Sequence, residues 1–389
     1  MTPQNKFFLR LLFRQMINER NTLMRYLLYI TPLFFVVCCG KKEEETTKKT
    51  EPTKNVSVEQ PSPELELEVE KSPSTSPELK YQISGDKAVI VRYTGTAESF
   101  TIPAEVEGVP VTEIRPKAFE NCSSLKSITI GENVTKIGTW AFSGCTGLTS
   151  IDIPEKVEVI GNLAFDKCTS LEAINVSENN NTYSSEEGVL YDSGKVKMVQ
   201  CPLGKTGELS VARGVKYIDD FAFRSCAQIT SINLGNDVTM IGNGAFSGCN
   251  ALNQVFLPES ITSIGEMAFY QCENLTDVII PGKVKFIGAQ TFSNSGLRSV
   301  KLSSGVTSIS KGAFFDCAGL AEVTIPASVK SIGKGAFSRC GNLEKVTFLG
   351  DAPSVSAGAF AGASPTIYYT SGTQGWSEQF SGLNTEETP

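Results

Sequence analysis

Histidine is absent from all 389 residues of this chain. That removes the commonest general base and metal ligand, and with them every Ser-His or Cys-His nucleophile arrangement. Lysine, carboxylate and tyrosine chemistry stay open. No paired carboxylate, nucleophile or metal cluster stands out from the sequence, so an enzyme is disfavoured and neither cofactor nor metal is expected. An excess of positive charge is also missing, because 35 Lys and Arg stand against 42 Asp and Glu for a net charge of −7. This argues against nucleic acid and anionic membrane surfaces as electrostatic partners. The apolar run from Tyr26 to Val37 falls short of the roughly 20 residues a membrane-spanning helix needs.

What the chain has is a repeat. Ala-Phe pairs, with Thr-Phe once at Thr291, place a ring at Phe119, Phe142, Phe165, Phe223, Phe246, Phe269, Phe292, Phe314, Phe337 and Phe360. Successive spacings are 23, 23, 58, 23, 23, 23, 22, 23 and 23 residues. So steady a period marks a solenoid, in which each unit buries its apolar face only against its neighbours. A stack of this kind grows by addition and need not divide into globular domains at this length. Within a unit, Leu148-Thr-Ser-Ile151-Asp-Ile153-Pro154 reads as a short strand with two aliphatics inward and one residue outward. Val157-Glu-Val-Ile160 is a second short strand ended by Gly161. Asn162-Leu-Ala-Phe165-Asp-Lys-Cys168 is then expected to form one helical or 3₁₀ turn. The rings should stack as a spine through the core.

Eleven cysteines invite a disulfide reading, but their placement argues against it. Eight of them, from Cys122 to Cys340, fall three residues after a repeat phenylalanine, where two other units carry Ser295 and Ala363. The position asks for a small side chain that tolerates burial, which describes free cysteine. Parallel side chains on stacked coils also give poor disulfide geometry. A reduced, buried ladder is expected, and no zinc site in the absence of paired Cys-x-x-Cys ligands.

The recurring Leu-x-x-Ile-x-Ile-Pro-x-x-Val-x-x-Ile-Gly-x-x-Ala-Phe-x-x-Cys resembles the BspA-type leucine-rich repeats of bacterial cell-surface proteins, over residues 80–376. The resemblance implies an α/β repeat protein: a right-handed leucine-rich-repeat solenoid of short parallel strands with short helical or 3₁₀ turns. It implies a non-enzymatic surface scaffold, monomeric, that mediates protein–protein interaction or adhesion to host or neighbouring-cell proteins. An envelope structural protein or a polysaccharide-processing accessory is the alternative. Val36-Val37-Cys38-Cys39-Gly40 resembles a bacterial lipobox, with Cys39 as the lipidated residue and Cys38 as the alternative. Lys41-Lys-Glu-Glu-Glu45 resembles the signal that sends some lipoproteins to the outer face of the outer membrane. The resulting expectation is an exported, lipid-anchored, surface-exposed protein of the bacterial outer membrane. An ordinary signal peptide or a short hydrophobic anchor remains open, as does Met24 as the start.

The organisation expected is a signal with lipobox at 1–39, then a linker at 40–79 too rich in Glu, Lys, Pro, Ser and Thr to offset ordering entropy by burial. A capping hairpin follows at 80–101, the solenoid at 102–363 and a C-terminal cap and tail at 364–389. The 58-residue gap holds a long repeat at 177–211, in which Val189–Tyr191 and 196–199 flank the turn signal Asp192-Ser-Gly194-Lys195. It reads either as an extra coil with a projecting hairpin or as a binding insertion. Gly204-Lys205-Thr206 is no phosphate loop, since Val199 stands where the motif requires glycine. Trp376 is expected to cover the last coil, with sugar binding as the alternative.

Any binding specificity must lie on outward positions. The outward strand row is Thr129, Asp152, Asn175, Ser210, Asn233, Phe256, Ile279, Lys301, Thr324 and Thr347. Most of it is small or polar. Phe256 and Ile279 break that rule on adjacent units, and with Asn233, Asp277 and Lys301 around them they are the candidate partner-binding residues. Good sheet formers, or residues covered by a loop, would be the alternative reading of this pair.

Overall fold

The computed structural model describes residues 77–388, so the signal, the lipobox cysteines Cys38 and Cys39 and nearly all of the expected linker lie outside the described residues. Within that span the chain winds as a solenoid whose successive coils meet along three rows of backbone hydrogen bonds. The first row joins the Ile-x-Ile strands in parallel, with Ile232 beside Val255 and Val278 beside Val300. The second joins the two-residue strands before each glycine turn, as Ile241 beside Ile264 and Ile309 beside Ile332. The third runs through the Ala-Phe turns: Phe246 N–H donates to Ala268 O at 2.7 Å and Phe269 N–H to Thr291 O at 2.8 Å. Gly265 sits where these coils come closest, since a Cβ there would lie 2.5 Å from the carbonyl carbon of Gly242.

The core follows the inward positions. Every repeat ring is fully buried except Phe360, which is 5% exposed. From Phe223 to Phe360 consecutive centroids lie 4.8 to 5.5 Å apart. A shorter run stacks Tyr93 on Phe119, Phe119 on Phe142 and Phe142 on Phe165.

No helix forms among the described residues, which corrects the expected helical or 3₁₀ turn. The reason is local. Each Ala-Phe turn holds two left-handed residues, two before and two after the ring, such as Leu163 at φ 57° and Lys167 at φ 58° around Phe165. Right-handed helical geometry cannot run through either position. Other coils place glycine at these sites, for example Gly335 and Gly362. Where the residue is Leu163, Trp140 or Met267, the strain of about 1–2 kcal/mol is offset by the packing and hydrogen bonds that hold the turn.

All nine described cysteines are buried and unbridged. Their position carries more than a size requirement. The thiols of Cys249, Cys272 and Cys340 donate to the carbonyls of Phe223, Phe246 and Phe314 on the preceding coil at 3.1, 3.1 and 3.0 Å. Ser295 at the same site lies 3.3 Å from the Cys317 sulfur. Burial pushes the Cys272 thiol up to about 12 and the Cys317 thiol up to about 11. Thiolate, the reactive form, is therefore scarce at neutral pH. Iodoacetamide mapped by mass spectrometry at pH 8 should leave these sites unmodified until denaturant is added; labelling at equal rates in the folded protein would contradict the burial. The linkage has a definite sign. A thiol whose folded value exceeds its unfolded value of about 8.5 binds its proton more tightly in the fold. Its contribution is complete below pH 8.5 and is lost as pH rises from there towards the folded values. Melting temperature should fall over that range, less steeply in a Cys249→Ala/Cys272→Ala variant.

The 58-residue spacing resolves into two coils. Cys201 N–H donates to Ala222 O at 2.7 Å, the bond that phenylalanine N–H makes elsewhere, so Cys201 takes a ring position. Phe165 to Cys201 is a coil of 36 residues and Cys201 to Phe223 one of 22. The long coil carries strands Tyr183–Glu186, Val189–Asp192 and Lys197–Gln200, paired antiparallel in that order. Its middle strand does not project. Val189, Leu190 and Tyr191 are 3%, 0% and 1% exposed. Leu190 belongs to the core of the N-terminal coils, whereas Val189 and Tyr191 belong to the core of the C-terminal coils. Strand alternation thus makes this segment a wall between two hydrophobic cores. Asn180 anchors the loop before it, donating to Pro154 O and Val157 O and accepting from Thr182 and Tyr183 N–H. Arg224 reaches Asp166 at 3.1 Å across the same coil.

Candidate protein-binding surface

The outward positions of the first strand row form a ladder set by the parallel register. Ser210 lies beside Asn233 and Asn233 beside Phe256. On the neighbouring strand Ile279 lies beside Lys301, then come Thr324, Thr347 and Tyr368. Inward neighbours such as Val255 and Val278 fill the core, so alternation forces Phe256 and Ile279 to solvent. Phe256 is 70% exposed and Ile279 57%. Among the described residues no loop covers either one. Large apolar side chains this open are the exception on a soluble surface, and adjacency makes the pair a patch rather than scattered residues.

Polar groups border it. Asp277 accepts the Ser299 hydroxyl at 2.6 Å and the Thr276 hydroxyl at 2.7 Å. The bond from Ser299, followed by that from Thr276, holds its carboxyl below the usual aspartate value. Asn233 accepts from Gly235 N–H at 3.0 Å, which fixes its side chain beside the Phe256 position. Lys301 and Asp277 fall at different positions of paired strands, so the border carries both signs of charge.

A second apolar group, on the Ile279 coil and on coils before it, escaped the sequence reading. Tyr217, Met240 and Phe286 occupy the outward position of the second strand row, 40%, 44% and 63% exposed. Tyr217 is in register with Met240, and Met240 with Ser263 of the next coil. The signal was available: the residue before each Ile of the second strand reads Lys136, Val159, Tyr217, Met240, Ser263, Phe286, Ser308 and Ser331. Reading that column would have shown these residues, with Val159 on an earlier coil, as apolar exceptions, and the coil of Ile279 and Phe286 as exceptional on both rows.

The other places considered are occupied. Trp376 stacks on Tyr369 at 5.0 Å and packs against Phe348 and Phe380, and its indole N–H donates to the Thr373 hydroxyl at 2.9 Å. Lys205 donates to Glu187 O at 2.6 Å and Lys195 pairs with Glu186, so the polar groups beside the long coil satisfy one another. Among the described residues no three metal-ligating side chains cluster.

Comparison with known proteins follows this geometry. The profile described as BspA type leucine rich repeat region, in six copies, matches residues 92–205, 204–320 and 264–371. A leucine-rich repeat protein of Eubacterium ventriosum is 24% identical, over 74% of this chain and 93% of that one, with a TM-score of 0.53. A leucine rich cell surface protein of Faecalibacterium prausnitzii is 23% identical, over 72% and 96%, with a TM-score of 0.40. For a leucine-rich repeat protein of Bacteroides ovatus the values are 19%, 81% and 100%, and 0.42. No curated protein matches.

Proposed function

The chain belongs to the BspA-type leucine-rich repeat family, and from that premise we propose that it is a non-enzymatic, surface-exposed scaffold that holds a protein partner on its first strand row. The partner-binding centre is Phe256 with Ile279, bordered by Asn233, Asp277 and Lys301. The observation that carries this reading is the exposure of two large apolar residues on adjacent strands of an otherwise polar row. Interfaces concentrate their energy in such anchors and surround them with polar groups that exclude water. The parallel register supplies a rigid platform, so little side-chain or backbone ordering opposes association.

Fold alone does not fix the partner. Host, matrix and neighbouring-cell proteins are the class proposed, with the chain held at the outer membrane through lipid on Cys39. A pull-down of the full-length protein against host extracellular matrix and bacterial envelope fractions tests the first part. Phe256→Asp/Ile279→Asp should abolish capture of the partner with no change in melting temperature, and unaltered capture would sink the proposal. Recovery of the chain itself or of cell wall alone would replace it with the envelope-structural reading. Globomycin should block maturation if Cys39 is lipidated, and protease applied to intact cells should remove the solenoid if it faces outward.

A further inference from the structure

The second strand row carries a separate surface beyond Phe286. An open groove of about 440 Å³ lies there, lined by Ser308, Ser310, Lys311, Ser331, Ser354 and Ser356 together with Ile309, Ile332, Gly333 and Val355. That volume is within the range of roughly 300–1,000 Å³ typical of ligand clefts. Its hydroxyls are only partly used. Ser331 donates to the Ser308 hydroxyl at 2.9 Å and Ser354 to Lys330 O at 3.0 Å. Among the described residues the side-chain hydroxyls of Ser310 and Ser356 find no hydrogen-bond partner.

Charge on this row changes sign along the stack. Segments 213–220, 236–243 and 259–266 carry five acidic residues (Asp219, Asp220, Asp237, Glu259, Glu266) and two basic ones. The equivalent segments 282–289, 304–311 and 327–334 carry five lysines (Lys283, Lys285, Lys311, Lys330, Lys334) and no acidic residue. None of these lysines forms an ion pair among the described residues. In a protein of net charge −7, Lys311 lines the groove and Lys334 takes the matching position on the next coil, with no acidic residue in these three segments.

We propose that this face binds an anionic polysaccharide, a glycan whose repeating unit carries carboxylate or sulfate. The lysines meet the anionic groups and the free serine hydroxyls meet sugar hydroxyls. Phe286, 63% exposed on the adjoining coil, offers a flat apolar platform to the C–H face of a sugar ring. The hydroxyl and lysine positions recur once per coil, at the strand spacing of about 4.8 Å. A polymer of short repeats can therefore engage several coils at once, and weak contacts combine through effective concentration. An acidic peptide suits the groove less. The strands at Ser308 and Ser331 have both edges paired, and the one at Ser354, which ends the ladder, is only two residues long, too short an edge for strand addition. The lining aliphatics Ile309 and Ile332 are buried in the core and offer no open pocket to a peptide side chain.

Affinity electrophoresis of the full-length protein through gels containing chondroitin sulfate, polygalacturonate or neutral dextran tests this, with poly-glutamate as a soluble competitor. The expected result is retardation by at least one of the two acidic glycans and none by dextran, weakening as salt is added. Retardation by one and not the other identifies sulfate or carboxylate as the group recognised. Lys311→Glu/Lys334→Glu should weaken that binding by about tenfold or more at unchanged melting temperature. If charge reversal lowers the melting temperature, Lys311→Gln/Lys334→Gln carries the same expectation of a loss. Phe286→Ser should weaken it further. No retardation by either acidic glycan, or retardation unaltered in the lysine variants, overturns the proposal. Competition by poly-glutamate as effective as by the glycan overturns it in favour of an acidic peptide.

Discussion

Phe269→Ala should lower stability by about 3–5 kcal/mol in equilibrium urea unfolding. The ring is fully buried and stacked on both sides, 5.0 Å from Phe246 and 5.3 Å from Phe292, with interplanar angles of 8° and 2°. The loss has two parts, the transfer energy of the removed ring and the cavity it leaves. The cavity cannot close easily, because Phe246, Phe269 and Phe292 are each pinned through their own N–H to the next coil. The flanking rings can meet only if those bonds break. Phe360→Ala offers an internal comparison. Phe360 ends the spine, has one stacked ring neighbour and is 5% exposed, so its loss should be clearly smaller. Equal losses at the two sites would mean that stacking depth is not what holds the coils.

Leu190→Asp should disrupt the coils before it, and Tyr191→Asp the coils after it. The two residues are neighbours in one buried strand, yet Leu190 packs into the core that includes Phe165, and Tyr191 into the core that includes Phe223. An unpaired carboxylate placed in either core costs several kcal/mol or is forced to take up a proton. Tyr191 adds a polar role, since its hydroxyl accepts from Ala212 N–H at 3.3 Å. Burial pushes that phenol up to about 12, so it stays neutral across the working range. Hydrogen exchange should show lost amide protection mainly over residues 79–176 in the first variant and mainly beyond residue 207 in the second. Loss over the same residues in both would rule out a wall.

Much of the fold was legible because the repeat states it ten times. The inward aliphatics, the ring spine and the reduced cysteines follow from single columns of the repeat and from elementary packing. What could not be read had its cause in backbone or in exceptions. The left-handed residues at Leu163 and Lys167 carry ordinary side chains, and only the glycines at matching sites of other coils, such as Gly335 and Gly362, reveal the geometry. The cysteine thiol as a hydrogen-bond donor to the previous coil depends on stacking distance, which spacing alone does not supply. Cys201 stood outside the ladder in sequence because a ring is missing from its coil, although its N–H holds the ring's place. On the surface, Phe256 and Ile279 were visible because they interrupt a polar column. Tyr217, Met240 and Phe286 went unread because the second column was not compared in the same way.

The constancy of the three hydrogen-bond rows has a consequence for how such a chain changes over generations. Loss of the 23 residues from Ser247 to Phe269 would join Phe246 to Tyr270 at equivalent points of the coil, leaving every later inward residue inward. A residue lost or gained within a strand would turn the aliphatics after it to water, whereas a loop can absorb one, as in the 22-residue step from Phe292 to Phe314. Recombination between repeats can therefore add or remove whole coils at little cost, and copy number becomes a heritable dimension of the molecule. A lineage could move Phe256 and Ile279 towards or away from the coils that bear Lys311 and Lys334 by duplication alone, without a substitution at either site.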